Sequence, residues 1–312
     1  MNIHWEKKGL IYCPDGEGFF KTHATRPIPY FLKRGVLRIF FSSRSAEDMP
    51  YPTFIDVQLD DPRKIIAIGE APMMQLGRPG AFDDSGITPV SILRHDGEDR
   101  MYYVGWKRRR CAVSVEASIG LAVLQNDGDI LVRAYDGPIL GQDINHPLMT
   151  AAPFVLFEEG RYKMWYCSTT DWRFPDGGPE PIYTVFYAES GDGIHWNPHG
   201  KPIIDYRFDG EIISAPWVLH VKDNYLMWYS TRGYATKAAK NFSIGYAESP
   251  DGINWRRLDE DAGIVRSESG WDSEMICYPS FYFYKDQIYM FYSGNGVGRS
   301  GIGYAVTENL LM

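Results

Sequence analysis

The sequence predicts an all-β chain folded as a five-bladed β-propeller with four antiparallel strands per blade, and three observations lead there. A Pro-led apolar strand occurs five times, with Pro-to-Pro spacings of 62, 64, 63 and 63 residues. An alternating, aromatic-rich strand follows it in every repeat. The last repeat then stops short of its outer strand, while a matching segment stands at the N-terminus. A fixed period of this size, with four strand-like segments in each unit, is the signature of radially arranged blades.

The first strand of each repeat is Pro27-Ile-Pro-Tyr-Phe31, Pro89-Val-Ser-Ile-Leu93, Pro153-Phe-Val-Leu-Phe157, Pro216-Trp-Val-Leu-His220 or Pro279-Ser-Phe-Tyr-Phe283. The second is Leu37-Arg-Ile-Phe-Phe-Ser42, Arg100-Met-Tyr-Tyr-Val104, Tyr162-Lys-Met-Trp-Tyr166, Tyr225-Leu-Met-Trp-Tyr229 or Ile288-Tyr-Met-Phe-Tyr292. The third ends in small residues, as in Ser118-Ile-Gly-Leu-Ala122, Val185-Phe-Tyr-Ala-Glu-Ser190, Ser243-Ile-Gly-Tyr-Ala-Glu-Ser249 and Gly301-Ile-Gly-Tyr-Ala305. Two of these run on into Gly191-Asp-Gly-Ile-His-Trp196 and Pro250-Asp-Gly-Ile-Asn-Trp255, where Asp-Gly supplies the positive φ of a tight turn and Trp opens the fourth strand. Asp127-Gly-Asp-Ile130 keeps the turn without the Trp. A propeller has to hide the edge between its first and last blades. Ile3-His-Trp5 followed by Gly9-Leu-Ile11 resembles Ile194-His-Trp196 followed by Gly200-Lys-Pro-Ile203, so the N-terminal strand is expected to complete blade five. Residues 1–312 read as one domain.

Composition agrees. Aromatic residues make up 15% of the 312, with 31 Gly and 20 Pro, which suits short strands joined by many turns. The net charge of −8 argues against a nucleic-acid groove. The basic run Lys107-Arg108-Arg109-Arg110 reads as a solvated loop between strands, with a phosphate contact as the second reading. No stretch approaches the ~18 apolar residues of a membrane-spanning helix, and Met1–Leu10 has no signal-peptide core, so the expectation is a cytoplasmic protein with no membrane partner. Cys13, Cys111, Cys167 and Cys277 lack metal-ligand spacing and read as reduced thiols. No Gly-rich phosphate loop, nucleophile elbow or His-Glu-x-x-His segment occurs. No cofactor and no metal are therefore expected.

In a propeller the start of each innermost strand lines the axis, so residues just before the repeated prolines are the candidates for a site. Five positions before the proline stand Asp84, Glu211 and Glu274. Three carboxylates at one register would face each other across a narrow space, which can raise one pKa for general-acid work while another stays ionised. The structural alternative is that they cap loops or pair with arginines. His23 and His146 stand near that register in the two blades without an acid, as acid, base or substrate clamp. Arg26, Arg44 and Arg232 could hold a planar anion or neutralise the acids. Trp106, Trp172, Trp271 and Asn295 are candidates for a sugar-stacking wall. Trp165, Trp228, Trp196 and Trp255 belong to the blade pattern and read as packing.

Five blades, Pro-led inner strands and Asp-Gly-x-x-Trp turns together resemble the five-bladed propeller glycoside hydrolases of families 32, 43, 68, 117 and 130. The likeness spans nearly the whole chain. Sialidases share the Ser-x-Asp-Gly-x-x-Trp turns of Ser190–Trp196 and Ser249–Trp255 but have six blades. The resemblance implies a small carbohydrate or activated-sugar ligand at the axis and a carbohydrate-active enzyme. Families 32 and 43 carry an Asp at the start of the first inner strand, where this chain has Thr25-Arg-Pro27. Catalytic carboxylates would therefore have to come from Asp84, Glu211 and Glu274. Three readings follow: glycoside hydrolysis; a cytosolic transferase, phosphorylase or sugar-modifying enzyme of polysaccharide biosynthesis; and a non-catalytic carbohydrate-binding propeller.

Overall fold

Alternating aromatic and β-branched residues punctuated by Gly and Asp-Gly turns build, among the described residues, twenty strands in five separate four-stranded sheets. The computed structural model describes residues 3–175, 178–233 and 241–308. The N-terminal strand β1 (Glu6–Tyr12) is the outer strand of the last blade. Blade one holds β2 (Thr22–Lys33), β3 (Val36–Arg44), β4 (Pro50–Gln58) and β5 (Asp61–Ile68). Blade two holds β6 (Gly86–His95), β7 (Glu98–Arg108), β8 (Val115–Gln125) and β9 (Ile130–Arg133). Blade three holds β10 (Thr150–Glu158), β11 (Arg161–Arg173), β12 (Glu180–Ser190) and β13 (Asn197–Pro202). Blade four holds β14 (Ile212–Val221), β15 (Asn224–Arg232), β16 (Ser243–Ser249) and β17 (Arg256–Arg257). Blade five holds β18 (Cys277–Tyr284), β19 (Gln287–Ser293) and β20 (Ile302–Thr307), and β1 pairs antiparallel with β20 to close the ring. No described helix is long and apolar enough to cross a membrane. All four cysteines are free thiols.

The repeats acquire physical reasons in three dimensions. Trp165 and Trp228 are fully buried between blades, as their place in the pattern implied. Each ties one blade to the next, Trp165 Nε1 donating to Gly252 O at 2.7 Å and Trp228 Nε1 to Ala262 O at 3.2 Å. Gly120 and Gly245 stand in the third strand because a tyrosine ring lies across them. A Cβ would come within 2.3 Å of the Tyr103 ring at one and 2.5 Å of the Tyr229 ring at the other. In the Asp-Gly turns, Asp251 Oδ1 accepts the Ile253 and Asn254 N–H groups. Burial raises its pKa, but these bonds outweigh that and hold it at about 2.

Each inner strand carries a bulge at its proline, and in four blades the residue before the proline is left-handed: Arg26 (φ 58°), Ala152 (52°), Ala215 (53°) and Tyr278 (59°). Such conformations cost on the order of 1–3 kcal/mol each for non-glycine residues. Serines of the preceding blade receive the N–H groups turned out of the ladder, Ser293 Oγ from Arg26 at 3.1 Å and Ser230 Oγ from Tyr278 at 2.8 Å. Below the bulges Trp217 lies across the axis, touching core side chains of several blades and approaching Phe154 to 4.8 Å between ring centroids.

At the opposite end of the inner strands, acids in the connecting loops meet cations of the outer strands beneath the last tyrosine of the second strand. In blade two, buried Asp83 accepts Tyr103 OH at 3.0 Å and Arg133 Nε at 2.8 Å. In blade five, Asp272 accepts Tyr292 OH at 3.0 Å and Lys7 Nζ at 2.7 Å. In blade four, Arg257 reaches both oxygens of Glu211 at 2.8 Å and Asp259 Oδ2 at 2.6 Å, while Asp259 also accepts Tyr229 OH. Blade three replaces the acid with His146, whose Nε2 lies 2.7 Å from Tyr166 OH. Burial by itself raises the Glu211 carboxyl, but Arg257, the Arg207 N–H and Thr231 outweigh it and hold the pKa below the ordinary value.

Two stability predictions follow from this architecture. Trp5, buried against Trp228 and Phe281, locks the closing strand, so Trp5→Ala should lower unfolding free energy by ~3–5 kcal/mol in a denaturant titration. A loss below about 1 kcal/mol would mean that the N-terminal strand is dispensable for closure. Because the folded Glu211 pKa is depressed, its stabilisation is complete above the ordinary carboxylate value of ~4.3 and fades as pH falls through the folded value. Glu211→Gln should therefore be less stable than the parent at pH 7 and show a shallower decline of Tm below pH ~4.5; parallel Tm–pH curves would contradict this assignment.

Candidate active site

The bulged inner strands surround a cavity of about 410 Å3 at the axis. Its wall is partly aromatic and apolar, with Trp106, Tyr183, Tyr278, Met149 and Val297, and partly hydroxylic, with Thr25, Ser85, Thr88, Thr169 and Ser214. Arg26, Arg44, Lys107 and Arg108 also line it, and among the described residues the one lining carboxylate is Asp48. Four cationic side chains against one acid make this an electropositive pocket in an acidic protein.

Arg26 stands at the centre of that character. Its left-handed backbone turns the half-buried side chain over the neighbouring blade's Tyr278, with the guanidinium 4.0 Å from the ring centroid. A cation stacked on an aromatic face keeps its N–H edges available to a ligand. Arg26 makes no ion pair among the described residues. Arg44 at the end of β3 donates to Asp48 at 2.7 Å, and that bond holds the Asp48 pKa below its ordinary value. Lys107 donates to Gly80 O at 2.9 Å, and Arg108 to Glu47 O at 3.0 Å. Trp106 Nε1 is bonded to Thr88 Oγ1 at 3.0 Å, which fixes the indole in the wall. Thr25 Oγ1 is buried without a hydrogen-bond partner among the described residues.

Of the candidates named from the sequence, Arg26, Arg44 and Trp106 converge on the cavity. Asp84, Glu211 and Glu274 are not among its lining residues. Asp84 lies just behind the wall, where its Oδ1 accepts the hydroxyl of cavity-lining Ser85 at 2.6 Å and its Oδ2 accepts Gly80 N–H at 2.8 Å. Glu211 is held in the buried pair with Arg257, and Glu274 is exposed on its loop. His23 is half-buried with Nδ1 2.9 Å from Thr22 Oγ1; burial, followed by the charge of Arg44, lowers its pKa to about 4, so it is neutral at pH 7. His146 is fully buried between Asp143 (3.0 Å) and Tyr166 (2.7 Å). Arg232 is paired with Glu180 at 2.9 Å and faces the Phe242 ring. Asn295 organises its own loop, accepting Glu274 and Met275 N–H groups and donating to Gly270 O. Trp271 stacks on Tyr292 in the blade-five core.

Sequence reasoning missed Tyr278, Tyr183 and Ser85, and placed a ligand contact by the basic run second. Tyr278 was findable, since it directly precedes Pro279 as Arg26 precedes Pro27. For Lys107 and Arg108 the expectation of a solvated loop needs revision. Both close β7 and line the cavity, Arg108 at its exposed rim, whereas Arg109 and Arg110 are exposed outside it.

No family model matches the chain. The uncharacterized protein Rv1502 of Mycobacterium tuberculosis is 35% identical over 309 residues, covering 98% of this chain and 99% of that protein. A 1,2-beta-oligomannan phosphorylase of Thermoanaerobacter sp. is 25% identical over 156 residues, 47% of this chain and 49% of that enzyme. Among solved structures, a glycoside hydrolase superposes with a TM-score of 0.75 at 18% identity, over 96% of this chain and 91% of its own. A second is a structure of the GH130 family of mannoside phosphorylases, which contains glycoside hydrolases that target β-1,2 mannosidic linkages in Candida mannan. It superposes with a TM-score of 0.69 at 17% identity, over 99% of this chain and 95% of its own. At these identities the structural likeness is one of fold. Identity along nearly the full length carries more, and the chain therefore belongs to the family of Rv1502, with the five-bladed propeller fold that these glycoside hydrolase structures share.

Proposed function

We propose that this carbohydrate-active protein transfers a glycosyl group between a sugar oxygen and phosphate, with inorganic phosphate or the phosphate of a sugar held in the axial cavity. The observation that carries the reading is the lining: Arg26, Arg44, Lys107 and Arg108 against a single carboxylate already engaged by Arg44. Glycoside hydrolysis in its usual form needs two carboxyl groups flanking the scissile bond. Phosphorolysis needs only one proton donor, because phosphate is the nucleophile. The partial match to a 1,2-beta-oligomannan phosphorylase supports the same choice.

In this reading Arg26 and Arg44 grip phosphate oxygens through planar guanidinium edges, and the sugar lies against Trp106 and Tyr183. A phosphate oxygen bonds to the anomeric carbon as the glycosidic C–O bond breaks. The departing oxygen takes a proton from the Ser85 hydroxyl, which regains one from solvent by way of the Asp84 carboxyl 2.6 Å away. Ser85 also accepts the Arg108 N–H at 3.1 Å, which orients it toward the cavity. Reversed, the same step builds a glycosidic bond from a sugar phosphate, the biosynthetic alternative.

Purified protein incubated with β-1,2-linked manno-oligosaccharides and other neutral oligosaccharides should consume glycoside only when inorganic phosphate is present, releasing a sugar 1-phosphate. Asp84→Asn should lower kcat by roughly 10²–10⁴-fold while phosphate still raises Tm. Arg26→Ala should abolish that rise in Tm. Turnover at the same rate without phosphate would restore the hydrolytic reading, and an unchanged kcat in Asp84→Asn would remove the relay.

A further inference from the structure

The β11–β12 hairpin has two working faces. Thr169, Pro181 and Tyr183 line the axial cavity, while their strand neighbours Thr170, Asp171 and Ile182 line a separate cleft of about 380 Å3 between blades three and four. Successive residues of a strand point to opposite faces, so the hairpin is a wall between the two spaces. The other side of the cleft is the 205–210 connection between β13 and β14, which exposes Tyr206 (37%) and Phe208 (52%).

That connection is held from beneath by the buried ion pair. Arg257 Nη1 donates to Asp205 O at 2.7 Å and to Glu211 Oε2 at 2.8 Å, and Glu211 Oε2 also accepts the Arg207 N–H at 2.6 Å. Tyr206 OH is bonded to Thr170 Oγ1 at 2.8 Å, which fixes the phenol ring across the cleft. Burying a carboxylate and a guanidinium is costly unless their geometry is well satisfied, and here the pair immobilises a loop whose aromatic rings remain in solvent. Rigid aromatic faces presented in this way are preorganised for a ligand and lose little entropy on binding.

The chemistry of the cleft differs from that of the axis. Arg173 is paired with Asp171 and Asp209, and Arg207 with Glu260 at 2.8 Å. The charges of the cleft-lining residues Asp171, Asp209, Arg173 and Arg207 cancel. Exposed ring faces flanked by carboxylate and hydroxyl oxygens match the C–H face and equatorial hydroxyls of an uncharged pyranose. We propose that this cleft is a second carbohydrate-binding site, for a neutral polysaccharide segment, with Tyr206 and Phe208 as its stacking platform. It is separate from the axial site and does not depend on what the axial cavity binds.

Native affinity electrophoresis through gels containing soluble mannan, β-glucan, galactan or xylan tests this. The parent protein and Arg26→Ala should both be retarded in at least one gel, and the Tyr206→Ala/Phe208→Ala double substitution should weaken that retardation tenfold or more at an unchanged Tm. Phe208→Ala, which removes a half-exposed ring, keeps the test open if the double substitution unfolds. No retardation in any gel, retardation that survives loss of both rings, or retardation abolished by Arg26→Ala would overturn the proposal. Failure of the axial reading shows up separately, as absence of phosphate stabilisation with gel retardation intact.

Discussion

The buried meeting of a loop acid, an outer-strand cation and a second-strand tyrosine holds this propeller's blades to their loops. Asp83 with Arg133 and Tyr103, Asp272 with Lys7 and Tyr292, and Asp259 and Glu211 with Arg257 and Tyr229 are variations on one device. Each joins the segment entering an innermost strand, or one packed beside it, to the strand farthest from the axis. In blade five the cation comes from the N-terminal strand, so ring closure and loop anchoring are one interaction there. Removing the cation would leave the acid's charge buried and unpaired, a penalty of ~3–5 kcal/mol in comparable pairs.

This device explains the register of acids before the prolines. Glu211 belongs to it directly, and Asp83 stands beside Asp84, as Asp272 stands two residues before Glu274. In blades two, four and five a carboxylate at that level receives a tyrosine and a cation, a structural role independent of what the cavity binds. The acid that also reaches the wall of the axial cavity is Asp84. It faces away from the buried node and is bonded to the wall hydroxyl of Ser85.

Backbone strain at the prolines serves the site. Left-handed residues at Arg26 and Tyr278 project side chains of two adjoining blades over the same space, and serines of the preceding blades satisfy the displaced N–H groups. Trp217 packs against the cores of several blades and so ties them together near the axis. An electropositive chamber at the axis and a charge-balanced aromatic cleft behind the β11–β12 hairpin then give one end of the molecule two surfaces of different chemistry.

The sequence by itself determined the blade number, the strand order and the closure by Trp5, because those rest on a repeated pattern in which every copy reports the same packing. It also marked Arg26, Arg44 and Trp106, since the ends of inner and second strands must converge on the axis. Only the tertiary structure decided which charges are consumed. Glu211 finds Arg257 46 residues later, Arg232 finds Glu180, and His146 is sealed beneath Tyr166, pairings between segments that no local spacing encodes. It likewise decided that Lys107 and Arg108 line the axial cavity while Arg109 and Arg110 do not. Periodicity records which face of a strand is buried; which partner neutralises a buried charge is settled by the meeting of separate blades and loops in space.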